Sequence, residues 1–277
     1  MDANTRTPRS IASLHLRAEG DSLDICTQYL DSKQARLHTA GASNPQWSSS
    51  SQKTATTAVP LWAVLPKHRP AEDSINLAYM SFLQEKRYIW QSGSSVQSPF
   101  GTYPVIDVLF SERQFAAADD VSKWAGRLAS TYFSASFEQI ICFWSSWHVM
   151  RWMIAPSPET FEAMPEWLRP IPQQLFVPHN ISNDFLAWPR LREAIIGREE
   201  MQRNSEWLIE LGMSLSCNWD RSIEEALYRD GESGVLALNP SAIEHVGNMG
   251  HWTVGPKFRA WLPNVDQYVR VKYDADE

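Results

Sequence analysis

The segment SFEQIICFWSSWHVMRW, residues 136–152, decides the fold because a helix start precedes bulky side chains at helical spacing. Ser136 and Gln139 form a capping-box pattern, in which each side chain satisfies a backbone amide of the first turn. The side chains that recur at helical spacing are Phe137, Ile140, Ile141, Trp144, His148 and Trp152. This pattern predicts a central, buried helix.

Two segments upstream repeat the helical period. The first contains Ile75, Tyr79, Phe82 and Ile89, and the second contains Val121, Trp124, Leu128 and Tyr132. Apolar residues spaced three or four apart lie on one face of a helix. We therefore predict two further helices that face the core.

Prolines organise the chain after the central helix. Pro156 ends that helix, and Ser157 before Pro158 predicts an N-cap and the start of a short helix through Met164. Four prolines then lie between positions 165 and 178. Because proline lacks an amide donor and fixes its own φ angle, we expect this segment to be an extended strap on the surface.

The remaining chain also favours helices. We expect helices from Trp188 or Pro189 to Arg203 and from 205 to 212, a capping box at 222–225, and a helix start at Asn239. Residues 214–219 and 235–238 are candidates for brief strands. The predicted fold class is all-α (mostly helical), with one aromatic-rich domain, a proline-rich strap and a flexible N-terminal tail.

Length and composition favour one main domain. The chain has 277 residues, 43% of them hydrophobic, and 13 tryptophans, which is enough for one broad aromatic core. Residues 1–58 include a polar run rich in Ser and Thr, which predicts a flexible tail with a short helix at 21–38. The predicted helical domain spans 59–265, followed by a C-terminal tail at 266–277.

Charge and cysteine content exclude several function classes. The formal net charge is −7 and the pI is about 5.5, so the field of the chain repels nucleic-acid backbones and anionic lipids. Three widely spaced cysteines do not suggest a disulfide framework or a zinc site. No apolar run has the length of a membrane helix. We expect an intracellular protein, in the nucleus or cytoplasm, that binds neither membranes nor nucleic acid directly.

The familiar enzyme motifs are absent from the sequence, so candidate chemistry rests on isolated residues. His179 and Asp184 are candidates for a catalytic pair in which the carboxylate orients the imidazole. A structural role for the same histidine is the commoner alternative, and both stay open. His245 and His251 fit no defined metal spacing, so we expect no metal and no cofactor.

An apolar ligand site is a second candidate. It would be lined by Trp144, Trp152 and Trp188, with His148 among them, although aromatic residues at helical spacing usually belong to the core. Arg190 and Arg192 are candidates either to anchor the strap, through Asp184 or Glu166, or to meet an acidic group of a partner.

The order of motifs from Phe143 to Ile196 resembles a fungal domain of unknown function that follows basic leucine-zipper regions. The matching motifs are a tryptophan-rich helix, PEWLRP at 165–170, QL at 174–175, PH at 178–179 and WPRLR at 188–192. Weaker matches extend the resemblance over roughly 61–265. A zipper protein binds DNA through a dense basic helix, whereas residues 1–58 contain six scattered Lys and Arg residues.

The resemblance implies a transcription-regulator-like interaction or sensing domain without its own DNA-binding region. Its partner would be a protein or a small apolar metabolite. The alternative is an enzyme of fungal secondary metabolism, such as a cyclase, isomerase or hydrolase, which would use the aromatic cavity and the His179–Asp184 pair. An exposed patch favours the first hypothesis, and a concave site with converging polar groups favours the second.

Overall fold

One buried helix, Phe137–Ile154, lies at the centre, and a second long helix and several shorter ones lie around it. The structure, a computed structural model, describes residues 59–93, 98–232 and 234–272. Within these ranges the α-helices are α1 (Ser74–Ser92), α2 (Glu112–Ala117), α3 (Asp120–Tyr132), α4 (Phe137–Ile154), α5 (Pro158–Glu162), α6 (Pro172–Phe176), α7 (Pro189–Ile196), α8 (Glu199–Arg203), α9 (Trp207–Ser214) and α10 (Pro240–Gly247). The predicted mostly helical class is confirmed.

Helix α4 lies at the centre, as its sequence predicts. Thirteen of its 18 residues are buried, and they face all sides of the helix. It packs against α3 along its length and also against α1. Ser136 Oγ caps the helix by accepting from Gln139 N at 3.2 Å. Gln139 Oε1 accepts from Ala135 N at 3.0 Å, one residue before the amide that a capping box would use.

Four short strands form two small sheets in the described chain. β1 (Leu227–Arg229) pairs antiparallel with β2 (Leu236–Leu238), and β3 (Thr253–Val254) pairs parallel with β4 (Arg270–Val271). The predicted strand at 235–238 is therefore present as β2. The predicted strand at 214–219 is reduced to an isolated bridge between Ser216 and Thr253.

The predicted strap is less extended than its prolines suggest. Residues 166–168 form a 3₁₀ turn, and Pro172 opens α6, where a missing amide donor costs nothing.

The helix predicted from 188 to 203 divides into α7 and α8. Arg198 has extended backbone angles there, and the side chain of Gln202 donates to the carbonyl of Ile195 at 3.0 Å. That hydrogen bond satisfies a carbonyl at the end of α7.

The packed region continues past residue 265, where the sequence analysis placed the start of a tail. Val265, Val269 and Val271 are buried, because the 3₁₀ turn Val265–Gln267 and strand β4 return to β3. The predicted N-terminal tail at 1–58 and the helix at 21–38 lie outside the described residues. Among the described helices, none combines the length and apolar character that crossing a bilayer requires.

Candidate functional site

A buried cluster joins His179 and Asp184 to a third residue, His68. Residues 67–69 run parallel to the segment around His179, with Arg69 N donating to the carbonyl of His179 at 3.0 Å and His179 N donating to that of Lys67 at 3.1 Å. The two backbone hydrogen bonds place the imidazole rings next to each other, with centroids 5.5 Å apart. A residue far upstream thus completes the predicted pair.

Each carboxylate oxygen of Asp184 lies within hydrogen-bond distance of one imidazole nitrogen. His68 Nε2 lies 2.6 Å from Oδ2, and His179 Nε2 lies 2.9 Å from Oδ1. Gln174 Nε2 also donates to Oδ1. The other ring nitrogen of His179, Nδ1, lies 2.8 Å from the carbonyl of Val177. Both nitrogens of His179 are therefore engaged, and its side chain is fully buried.

The cluster favours a charged carboxylate despite its burial. Burial by itself opposes ionisation of Asp184, but the charges and hydrogen bonds of the two histidines hold its pKa well below the usual range. Burial lowers the pKa of His179, and the hydrogen bond and charge of Asp184 outweigh that effect, so the net pKa is raised. Asp184 is therefore a buried negative charge that faces two imidazole rings.

Arg192 connects this cluster to the proline-rich segment. Its guanidinium donates to the carbonyls of Trp167 and Leu168 and to Gln174 Oε1, at 2.6, 3.3 and 3.0 Å. Burial lowers the pKa of Arg192 to about 10, so it keeps its charge at neutral pH. The sequence analysis expected an anchor through Asp184 or Glu166. The anchoring partners are two carbonyls and the Gln174 amide, because the side chain crosses the end of the 3₁₀ turn.

A separate surface groove lies between the β1–β2 hairpin, α4 and the segment before the 3₁₀ turn Ile106–Leu109. Its volume is about 550 Å³, and its lining includes Trp144, Tyr103, Tyr228, Leu238 and Ile243. Asp230 and Glu232, in the turn of the hairpin, supply the charges of the lining. The lining therefore combines aromatic and aliphatic side chains with two acidic ones.

The structure separates most of the other predicted site residues. Trp144 lines the groove. The ring of His148 contacts the ring of Trp144, with centroids 4.6 Å apart. Trp152 is buried elsewhere and donates to the carbonyl of Trp62 at 3.0 Å. Trp188 is buried against Trp252, at a centroid distance of 5.7 Å. The predicted set of tryptophans therefore does not line one common cavity.

The remaining candidates have structural surroundings. Arg190 is exposed, with its guanidinium carbon 5.9 Å from the centroid of the Tyr268 ring. The rings of His245 and His251 stack with centroids 4.1 Å apart, and His245 Nε2 lies 2.7 Å from the carbonyl of Cys217. Among the described residues, the three side chains whose metal-ligating atoms come together are His68, His179 and Asp184, all within 4.8 Å.

Sequence reasoning missed His68, Gln174, Tyr103 and Tyr228. Only a long-range backbone pairing brings His68 to Asp184, and no local spacing encodes that pairing. Gln174 was a visible motif residue, but its contact with both Asp184 and Arg192 depends on the tertiary fold. The Asp230-Gly231 pair was a local signal for the groove, since an Asp-Gly pair is typical of a turn.

Part of the chain matches a known protein family. Residues 147–272 match a family described as a domain of unknown function (DUF3425). This region contains His179, Asp184 and Arg192 as well as the β1–β2 hairpin, but it begins after Trp144 and leaves out His68. No curated protein and no solved structure shows a significant match to the chain. These findings show a mostly helical fold in which residues 147–272 are similar to a domain of unknown function.

Proposed function

We propose that the chain is a transcription-regulator-like interaction domain that binds a protein partner in the groove of the β1–β2 hairpin. The resemblance to the domain that follows fungal zipper regions suggests the class, and the groove suggests the mode of binding. Its exposed aromatic rim carries the proposal: Tyr103 is 54% exposed and Tyr228 46% exposed. Large aromatic side chains at a concave surface are typical anchors of protein interfaces.

The charges of the groove favour a basic partner. Among the described residues, its lining contains the acids Asp230 and Glu232 and no Lys or Arg. A segment with one or two apolar anchors flanked by Lys or Arg complements the aromatic side chains and the two acids of this lining. The net charge of −7 aids the approach of such a segment. The same charge disfavours duplex DNA as an occupant.

The enzyme alternative has weaker support. A general base must present a free ring nitrogen to its substrate. In this structure His179 directs one nitrogen to Asp184 and the other to the carbonyl of Val177, and its side chain is fully buried. The groove contains Trp144 but none of the cluster residues. Acid–base chemistry at the predicted pair would therefore need a rearrangement of the strap.

Fluorescence polarisation with short labelled peptides tests the proposal on the full chain. The probe peptide carries Leu and Phe flanked by Lys and Arg, and the matched peptide has Glu in place of each basic residue. We expect the basic peptide to bind and the acidic peptide not to bind. Tyr228→Ala and Glu232→Lys should each weaken binding by about tenfold or more, the loss of a typical interface anchor.

Met213→Ala is the matched control, because Met213 is 75% exposed on α9 and does not line the groove. It should bind the basic peptide as the unaltered chain does. Equal binding of both peptides, equal weakening by Met213→Ala, or binding of duplex DNA would contradict the proposal. Saturable binding of an apolar metabolite that excludes the peptide would instead identify a small-molecule sensor.

A further inference from the structure

The His68–Asp184–His179 cluster has the composition of a metal site. Two imidazole nitrogens and a carboxylate, contributed by two separate segments of the chain, lie with their ligating atoms within 4.8 Å of one another. The sequence analysis expected no metal, because neither the cysteines nor His245 and His251 have a metal-binding spacing. The cluster is distinct from the proposed groove, and its residues take no part in the groove lining.

Hydrogen bonding fixes how the His179 ring is oriented. The carbonyl of Val177 is only an acceptor, so Nδ1 of His179 must carry the hydrogen that it donates. In a neutral ring Nε2 then carries a lone pair, and that lone pair faces a carboxylate oxygen at 2.9 Å. Two facing lone pairs repel each other unless a proton or a metal cation lies between them.

The surroundings match those of metal-ligating histidines in other proteins. Such histidines usually donate their second ring N–H to a backbone carbonyl, and ligating carboxylates are usually held by a further hydrogen bond. His179 meets the first condition through Val177, and Asp184 meets the second through Gln174. Gln174 is itself oriented by Ile171 N and Arg192, which both donate to its Oε1.

We propose that His68, His179 and Asp184 bind a divalent transition-metal ion of the Zn²⁺ type. Hard cations such as Ca²⁺ and Mg²⁺ prefer sets of oxygen ligands, and this cluster offers a single carboxylate. Imidazole ligands favour Zn²⁺ and its transition-metal neighbours. Three protein ligands leave at least one coordination position for water or a small ligand. His68, the only one of the three that is not fully buried, marks the side of access.

Metal analysis of the full, untagged chain tests the site directly. The protein is equilibrated with Zn²⁺, passed through buffer without metal, and its zinc content is measured by mass spectrometry. We expect about one equivalent of retained zinc and a melting temperature that falls when a chelator removes it, since a ligand bound only to the native state stabilises that state. Co²⁺ in place of Zn²⁺ should give the visible absorption of a low-symmetry nitrogen–oxygen site.

Variants separate this cluster from other histidines. His68→Gln should lose most of the retained zinc while keeping its circular dichroism spectrum, because His68 lies at the edge of the cluster. His245→Gln alters the stacked pair outside the cluster and should keep the zinc. An unaltered chain that retains no zinc, or a His68→Gln variant that retains all of it, would overturn the proposal and leave a protonated His179 as the cation facing Asp184.

Discussion

At the scale of single residues, His148 shows how burial limits a polar group. Its Nδ1 atom is buried without a hydrogen-bond partner, and its ring meets Trp144 and Trp147 edge-on. Burial, assisted by the charge of Arg151, lowers the pKa of His148 from 6.5 to about 3. The folded protein therefore keeps this imidazole neutral at pH values where the unfolded chain protonates it.

This depressed pKa predicts acid sensitivity of stability. Because the folded pKa lies below the unfolded value, the contribution of His148 is fully present above about pH 6.5 and declines as the pH falls toward 3. Between pH 7 and pH 5 the unaltered chain should lose about 2 kcal/mol more unfolding free energy than His148→Phe. Urea unfolding at both pH values measures the difference, and equal losses in the two proteins would refute it.

At the scale of elements, helix α9 approaches α3 at a glycine. A Cβ atom built on Gly212 would lie 2.6 Å from Cδ1 of Tyr132, a ring carbon of the facing helix. The Tyr132 ring is half-buried, and this burial raises the pKa of its hydroxyl to about 12. The contact between α9 and α3 therefore requires the absence of a side chain at position 212.

Gly212→Ala should lower the unfolding free energy by about 1–3 kcal/mol, the usual cost of overpacking. The matched control is Gly247→Ala in α10, where a Cβ would have no neighbour within 4 Å. That change should be neutral or stabilising by up to about 1 kcal/mol, because alanine favours helix. Thermal or urea unfolding distinguishes the two. A Gly212→Ala protein as stable as the control would show that α9 and α3 do not pack closely.

The elements also show what local sequence can predict. The helical period and cap residues were sufficient for α1, α3, α4 and the starts of α5 and α10, because each signal lies within a few residues. The division between α7 and α8 was missed. It depends on the side chain of Gln202 reaching the carbonyl of Ile195, which a pattern of charges does not reveal.

The candidate site was predictable only in part, for the same reason. His179 and Asp184 lie five residues apart, and the predicted contact between them is present at 2.9 Å. His68 is 116 residues from Asp184, and the groove combines residues from 103 to 243. Trp144, Trp152 and Trp188 were candidates to line one site, but Trp144 lines the groove, while Trp152 and Trp188 are buried in separate places.

At the scale of the whole molecule, a buried polar cluster and a surface groove lie in different parts of the fold. The polar cluster around Asp184 fixes the proline-rich segment to the helical core through Gln174 and Arg192. The groove lies elsewhere on the surface and has exposed aromatic side chains with acidic neighbours. The cluster is thus enclosed in the fold, while the groove is open at the surface.

Hydrogen exchange of the full chain, with and without the basic probe peptide, tests the central claim most directly. Bound peptide should slow amide exchange in the hairpin at 227–238 and in the segment at 103–109, and leave α6 and the residues around Asp184 unchanged. Protection confined to 172–185, or no protection at saturating peptide, would contradict a groove-binding interaction domain.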